Sequence, residues 1–268
     1  MIGAVLGSPV KHSLSPLLHT SLYTHLRISG NYSAIEVANG ELDSFFQSRI
    51  EDFDYLSLTM PLKEEALSLP VVIDAIAEKS RSANTLYIRD GIWHLTSTDG
   101  LGFISALKNN SINNLNNVLI LGAGGTSRAV ASALDGAANQ ITVLGRSSTR
   151  REQLESSVSK SQFEYIRWSD NLDFAPYDLV VNTTPAGAAD LLADSVKQGV
   201  STILFDVIYK PWPTVLASRW LDSGGHVING LELLIYQGIH QLELALNTPL
   251  DHQELSHFVR PILQSASK

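Results

Sequence analysis

The sequence predicts an α/β fold with two lobes: an N-terminal α/β lobe and a doubly wound domain built on a parallel sheet. Three observations predict it. Short apolar runs alternate with helical stretches along the chain, a pattern typical of parallel sheets covered by helices. A glycine-rich turn opens a second series of strands near residue 122. Two helices follow the last strand, and we expect them to pack back on the first lobe, with a cleft between the lobes.

The first series of elements follows from alternating and helical hydrophobic periods. Strands are expected at residues 2–6, 32–37, 55–58, 85–88 and 93–96, and helices at residues 16–26, 41–50, 63–69 and 102–108. Asp90-Gly91 predicts a tight turn between the last two strands. The Asn-rich stretch at residues 109–117 is the best candidate for a linker.

The second series repeats strand and helix in regular order. Strands are expected at residues 118–121, 141–144, 163–168, 179–182 and 203–207, and helices at residues 127–134, 150–159, 191–198 and 214–221. The two closing helices are expected at residues 231–246 and 253–265, separated by Pro249.

Composition excludes several classes of function. With 19 Lys+Arg against 27 Asp+Glu, the net charge of −8 disfavours binding to nucleic acid and to anionic membranes. Because cysteine is absent, disulfides, thiolate metal sites and cysteine nucleophiles are excluded. The eight histidines show no metal-ligand spacing, so no metal site is expected. We expect no signal peptide, because the first residues contain no basic leader and no long apolar run, and we expect a cytoplasmic protein. Its oligomeric state stays open, a homodimer included.

The glycine-rich turn is the strongest local signal. An apolar strand runs into Gly122-Ala123-Gly124-Gly125, and a helix follows, which is the context of a Rossmann-like dinucleotide site. Gly122 permits the tight turn, and Gly124 lets the backbone approach a pyrophosphate at the helix N-terminus. Ser127 replaces the third glycine of the usual pattern. A plain strand–turn–helix junction is the alternative.

The end of the next strand favours NADP over NAD. An NAD site usually has an acidic residue here, but this strand ends with Arg146 and Ser147, and Arg150 and Arg151 follow. A guanidinium in this place can bind a 2′-phosphate. The alternative is a solvated first turn of a helix.

The first lobe also contains polar residues next to its predicted strands and helices. Ser13 and Ser15 precede a helix, where capping is the simplest role. Lys63 and Asp99 stand after strands and, taken alone, would be ordinary surface charges.

Taken together, these segments resemble the shikimate dehydrogenase family. The resemblance runs from Gly7 to Gln237 in family order. It rests on Gly7-Ser8-Pro9, His12-Ser13-Leu14-Ser15-Pro16 with His19, Thr59-Met60-Pro61-Leu62-Lys63, Asn84-Thr85, Ser97-Thr98-Asp99-Gly100, the glycine turn, Arg146, Asn182-Thr183-Thr184-Pro185-Ala186-Gly187, Asp206-Val207-Ile208-Tyr209-Lys210-Pro211 and residues 230–237.

The resemblance implies an enzyme that reduces 3-dehydroshikimate to shikimate with NADPH, on the route to aromatic amino acids. Lys63 and Asp99 would be the catalytic pair. The substrate would contact Ser13, Ser15, Thr59, Lys63, Asn84, Asp99, Tyr209 and Gln237. The cofactor would contact Gly122, Ala123, Gly124, Gly125, Arg146, Ser147 and Arg150, with Ile208 and Gly230 beside the nicotinamide. Residues 1–101 and 237–268 would form the substrate-binding domain, and residues 102–236 the Rossmann-like NADP domain.

Two positions depart from the family pattern. Ser57 and Ser97 stand where many members have Asn, and each shorter group implies that a hydrogen bond to the substrate or to the Lys63–Asp99 pair is lost or replaced by water. The substrate could therefore extend to quinate or other polyols, and a broader quinate/shikimate dehydrogenase is one alternative. A non-catalytic NADP-binding sensor is another, against which the intact Lys63 and Asp99 argue.

Overall fold

The computed structural model describes residues 1–267, and these divide into two compact units. The first unit comprises Met1–Gly102 with Leu234–Ala266, and the second comprises Phe103–Leu233. The strands are β1 (Ile2–Gly7), β2 (Asn31–Glu36), β3 (Tyr55–Leu58), β4 (Val72–Ile73), β5 (Thr85–Arg89), β6 (Ile92–Thr96), β7 (Leu115–Leu121), β8 (Ala138–Gly145), β9 (Gln162–Arg167), β10 (Leu179–Asn182), β11 (Ile203–Asp206) and β12 (Val227–Asn229).

The helices connect these strands and close the chain. They are α1 (Ser15–His25), α2 (Leu42–Arg49), α3 (Leu62–Glu65), α4 (Ala75–Ser80), α5 (Asp99–Asn109), α6 (Gly125–Leu134), α7 (Arg151–Glu155), α8 (Val215–Asp222), α9 (Gly230–Leu246) and α10 (His252–Ser267). The boundaries between the two units fall inside α5 and α9. No helix among residues 1–267 has the length and apolar character needed to cross a bilayer.

The first unit is a mixed sheet in the order β2-β1-β3-β5-β6-β4. Strand β1 pairs in parallel with β2 and β3, while β5 runs antiparallel to both β3 and β6. Five of the six residues of β1 are buried, as expected for a central strand. Gly3 leaves room there for two rings, because a Cβ would lie 2.7 Å from Tyr32 and 2.8 Å from Tyr55.

The second unit is a parallel sheet in the order β12-β11-β10-β7-β8-β9. This is the doubly wound dinucleotide-binding order, in which successive strands are added on one side of β7 and then, from β10 onward, on its other side. Strands β7, β8, β10 and β11 end in fully buried runs, since helices cover both faces of such a sheet. The predicted α/β class with a Rossmann-like domain is confirmed.

Three local expectations are wrong. The Asn-rich stretch is not an extended linker, because Asn109 ends α5 while Asn116 and Asn117 lie in β7 and donate from their backbones to Asp178. Residues 191–198 do not form an α-helix. A 3₁₀ segment, Asp190–Ser195, ends where Val196 turns extended. The period-based reading also omits β4, α4 and β12, because elements of two to six residues carry too short a pattern.

Candidate active site

One edge of the first sheet gathers most of the predicted substrate residues. Strands β1, β3 and β6 run in the same direction, so the residues that follow them emerge at the same edge. Strand β5 runs the opposite way, and therefore Asn84, which precedes it, lies at that edge too. The carboxyl ends of parallel strands are the usual place for ligands in open α/β sheets. Ser13, Thr59, Lys63 and Asp99 all follow such strand ends.

Lys63 and Asp99 form a hydrogen-bonded ion pair in this place. The Lys63 ammonium donates to Oδ2 of Asp99, and their side chains are 19% and 5% exposed. The second carboxylate oxygen, Oδ1, accepts a hydrogen bond of 2.8 Å from Nδ2 of Asn84. Lys63 is further fixed by its carbonyl, which accepts from the Ala83 amide. Each carboxylate oxygen thus accepts one hydrogen bond, while 19% of the Lys63 side chain stays exposed.

Asn84 is held rigidly by its neighbours. Its Oδ1 accepts from the Thr98 amide at 2.7 Å and from the Thr85 hydroxyl at 2.8 Å. The Thr98 N–H can only donate and so assigns the oxygen, which means that the amide nitrogen faces Asp99. Nδ2 also donates to Oε1 of Gln237 at 3.1 Å. We call Lys63, Asp99, Asn84 and Gln237 the catalytic network, after the role that the family resemblance implies for Lys63 and Asp99.

Helix packing places Gln237 in this network. A Cβ on Gly102 would lie 2.6 Å from the Gln237 backbone nitrogen, so only glycine lets α5 and α9 approach this closely. Asp99 begins α5 and Gln237 lies in the middle of α9. The close approach brings the two side chains to the same amide group of Asn84.

Gln241 is a further member of the site that the sequence analysis missed. It lies four residues after Gln237, on the same face of α9, and is 1% exposed. Its Nε2 donates to the Asn84 carbonyl and the Thr85 hydroxyl, each at 3.1 Å, and its Oε1 accepts from Ser57 at 2.7 Å. The i, i+4 spacing from Gln237 is the signal that could have found it.

The two serines that depart from the family pattern have opposite environments. Ser57 is buried and donates to Gln241 while accepting from the Tyr32 hydroxyl at 2.5 Å, so its hydroxyl is satisfied within the protein. Ser97 is also buried, yet its hydroxyl has no hydrogen-bond partner within residues 1–267. Only at Ser97 does the shorter side chain leave a polar atom unsatisfied.

The remaining predicted substrate residues lie beside this network or outside it. Ser13 Oγ accepts from the Ser15 amide at 3.2 Å, which is a local turn at the start of α1. Thr59 follows β3 and packs against Gly7 at the end of β1. Tyr209 belongs to the second unit, where it follows β11, and it is not part of the catalytic network.

A buried aromatic cluster lies in the same unit. His19 stacks on Tyr32 with ring centroids 4.1 Å apart, and its Nδ1 hydrogen-bonds to the Tyr55 hydroxyl at 2.8 Å. Burial disfavours the charged form of both groups. It therefore lowers the pKa of His19 to about 3 and raises the pKa of Tyr32. Both groups are therefore neutral at physiological pH. The Tyr32 hydroxyl connects this cluster to Ser57 and Gln241.

In the second unit, the glycine turn has the features of a pyrophosphate site. Gly122 follows β7 with a φ of +104°, and a Cβ there would lie 2.8 Å from the Thr183 hydroxyl. Gly124 begins α6 without any side-chain cap, so the first N–H groups of this helix are available to an anion. Ser127, in place of a third glycine, donates back to the Gly122 carbonyl at 2.7 Å and so tightens the turn.

The predicted cationic groups lie at the end of β8. Arg150 reaches the glycine turn, where Nη1 donates to the Ala123 carbonyl at 3.3 Å. Arg146 is exposed, covers the Trp168 ring at 5.2 Å and donates to the Ala188 carbonyl. Ser147 accepts from the Thr149 amide. Arg151 instead pairs with Glu155 at 3.7 Å. Two guanidiniums and a hydroxyl thus stand where a 2′-phosphate would bind, which fits NADP.

The two residues predicted to border the nicotinamide are neighbours. A Cβ on Gly230 would lie 2.9 Å from the backbone of Ile208 and would overlap the carbonyl of Val207, so this position requires glycine. The Ile208 amide donates to Asp206 at 3.1 Å. Burial raises the pKa of Asp206, although hydrogen bonds from Thr214, Ile208 and Asn182 oppose the rise.

Comparisons with known proteins match both halves of the chain. The family model of the shikimate dehydrogenase substrate binding domain matches residues 5–86, and the model of shikimate / quinate 5-dehydrogenase matches residues 106–208. The shikimate dehydrogenase (NADP(+)) of Methanococcoides burtonii is 33% identical over 242 residues, covering 88% of this chain and 89% of that protein. The chain belongs to the shikimate dehydrogenase family. It is an oxidoreductase, and the predicted family membership is confirmed.

Solved structures of shikimate dehydrogenases share the fold. That of the Mycobacterium tuberculosis enzyme is 30% identical with a TM-score of 0.86, covering 97% of this chain and 99% of its own. The Thermus thermophilus shikimate 5-dehydrogenase, solved in complex with shikimate, is 29% identical with a TM-score of 0.85, covering 98% and 99%. Both cover nearly all of this chain, so the fold extends through the two units.

Proposed function

We propose that this chain is an NADP-dependent shikimate dehydrogenase that reversibly reduces 3-dehydroshikimate to shikimate, with Lys63 and Asp99 as its catalytic pair. Besides family membership, the observation that carries the proposal is the ion pair inside the catalytic network. A lysine that is paired, oriented and partly accessible can serve a reacting carbonyl. The enzyme acts in the cytoplasm on a small molecule of the aromatic amino acid route.

Reduction of a ketone requires a group that stabilises or protonates the carbonyl oxygen. NADPH, when bound, supplies the hydride, and negative charge develops on the substrate oxygen. The positive charge of the Lys63 ammonium stabilises that oxygen, and the ammonium then donates a proton to it. Asp99 holds the ammonium in place through Oδ2, while Asn84 holds Asp99 through Oδ1. The pair works without a metal ion.

The hydroxyl groups of the substrate require polar partners. Gln237 and Thr59 offer amide and hydroxyl groups to the ring hydroxyls, while Asn84, whose amide hydrogens go to Asp99 and Gln237, holds the carboxylate of Asp99 in place. Ser13 and Ser15 bind the carboxylate through their hydroxyls. Buried polar groups of this kind reject analogues that leave them unpaired, which favours a polyol acid over an apolar ketone.

The second unit supplies the cofactor site. The pyrophosphate rests on the backbone of residues 122–125, where α6 begins without a side-chain cap. Arg146, Ser147 and Arg150 bind the 2′-phosphate, and Ile208 and Gly230 border the nicotinamide. On this proposal residues 1–101 and 237–268 form the substrate domain and residues 102–236 the NADP domain.

The deciding experiment measures NADPH formation at 340 nm with shikimate and NADP. We expect turnover with this pair and a lower kcat/KM with quinate or with NAD. Asp99→Asn should lower kcat and weaken shikimate binding together, because it loosens Lys63 and removes a negative acceptor. If the kcat/KM for quinate equals that for shikimate, the protein is instead the broader dehydrogenase. NADPH binding without any turnover would indicate a sensor.

A further inference from the structure

A cluster of three ligand-type side chains lies outside the catalytic network, where α9 meets α10. His240 and Glu243 stand on α9 three residues apart, and His252 begins α10. Oε2 of Glu243 lies 3.0 Å from Nδ1 of His240 and 2.9 Å from Nε2 of His252. One ligand atom from each residue lies within 4.8 Å of the others, which no other group of three such residues within 1–267 achieves.

The spacing of these atoms suits a small divalent ion. Zinc bonds to imidazole nitrogen and carboxylate oxygen at about 2.0–2.2 Å, so tetrahedral ligands lie roughly 3.3 Å apart. Opening the two short separations by a few tenths of an ångström would therefore admit the ion. Two histidines with one glutamate are also a ligand set that zinc uses in proteins, with a fourth position left to water.

Each of the three side chains is oriented by a further contact. The His240 ring hydrogen-bonds to the backbone of Leu101, Oε1 of Glu243 accepts from the Leu250 amide at 2.9 Å, and the His252 ring stacks on Tyr236. Outer partners of this kind fix the orientation of metal ligands and raise affinity. The cluster is thus a preformed site rather than three freely moving side chains.

We propose that His240, Glu243 and His252 form a binding site for one divalent transition-metal ion of the zinc type. The ion joins the first turn of α10 to the last two turns of α9, so its role is to tie the C-terminal helices together. Histidine spacing in the sequence predicts no metal site, because the third ligand comes from across the turn between the two helices.

The test titrates zinc into EDTA-treated chain without a histidine tag, using calorimetry, and then measures bound metal after gel filtration. We expect one zinc ion per chain, no heat with Mg²⁺, and a tetrahedral visible spectrum when Co²⁺ replaces zinc. Glu243→Gln and His252→Ala should each weaken zinc binding at least tenfold. Loss of a residue that only orients a metal ligand already lowers affinity by about that factor. Zinc should raise the Tm of the wild-type protein and not that of these variants.

Two matched variants control for unrelated histidines. His257→Ala changes an exposed histidine of α10, and His25→Ala breaks another histidine–glutamate pair, with Glu254. Both should bind zinc as the wild type does. Absence of stoichiometric zinc, or zinc binding that survives in Glu243→Gln and His252→Ala, would overturn the proposal. Since no activity is measured, the result is independent of the proposed dehydrogenase function.

Discussion

In the first unit Lys63, Asp99, Asn84 and Gln237 contact one another side chain to side chain, whereas in the second the corresponding site consists largely of backbone. That second site requires glycine at positions 122 and 230, where a Cβ would lie too close to neighbouring atoms. Its charged groups are arginines at the surface. The difference follows from the ligands. A reacting carbonyl needs a positioned proton donor, while a pyrophosphate needs N–H groups and space. The first site is therefore prearranged by side chains and the second by chain geometry.

The largest expected effect is on the prearranged pair. Lys63→Ala should lower kcat by about 10²-fold or more, the scale of a positioned acid, because no other ammonium contacts Asp99 within the described residues. NADPH affinity should stay unchanged, since it depends on the second unit. Steady-state kinetics with a fluorescence titration of NADPH would check both values, with the exposed Lys108→Ala as control. An undiminished kcat would remove Lys63 from the mechanism.

The surface arginines should act on cofactor choice rather than on rate. Arg146→Leu should weaken NADPH binding by roughly 10–100-fold, the worth of a charge-assisted hydrogen bond. NADH binding should change little because NADH lacks the 2′-phosphate. Titrations of both nucleotides measure this, and Arg151→Ala, which removes an arginine paired with Glu155, should leave both affinities alone. Equal weakening for NADH and NADPH would place Arg146 elsewhere.

The buried aromatic cluster should make stability depend on pH. Because the folded pKa of His19 is about 3 against 6.5 for an ordinary histidine, the unfolded chain binds a proton that the folded chain rejects. The free energy of unfolding should therefore fall as pH drops below 6.5, by up to about 1.4 kcal/mol per pH unit. Urea unfolding of wild type and His19→Phe between pH 7 and 5 tests this. Parallel curves for the two proteins would contradict it.

The two departing serines offer the smallest and most local comparison. Ser57→Ala removes a donor from Gln241 and an acceptor from Tyr32, and should reduce stability by about 1–3 kcal/mol. Ser97→Ala removes a hydroxyl that has no partner in the described chain, and should change stability by less than about 0.5 kcal/mol or raise it slightly. Thermal unfolding of both variants measures the difference. Equal losses would mean that Ser97 is satisfied too.

Sequence patterns located the candidate site better than its supporting contacts. Lys63, Asp99 and Asn84 were predicted from the resemblance of their short motifs to the shikimate dehydrogenase family, because taken alone each would be an ordinary polar residue after or before a strand. Tyr32 escaped prediction because a buried polar side chain in an apolar stretch has no local signature, and Gln241 is marked only by its i, i+4 spacing from Gln237. The Asn-rich stretch misled for the opposite reason: asparagine favours turns on average, but Asp178 holds Asn116 and Asn117 in a strand.

The sequence by itself determined the order of the longer strands and helices, the glycine turn and the identity of the charged residues. These depend on neighbours within a few positions, through hydrophobic period, backbone freedom at glycine and charge. Only the tertiary structure decided which groups meet. Asn84 joins Asp99, 15 residues away, to Gln237, 153 residues away, and His252 reaches Glu243 across a turn. Contacts of this kind arise from sheet order and helix packing, which no local pattern encodes.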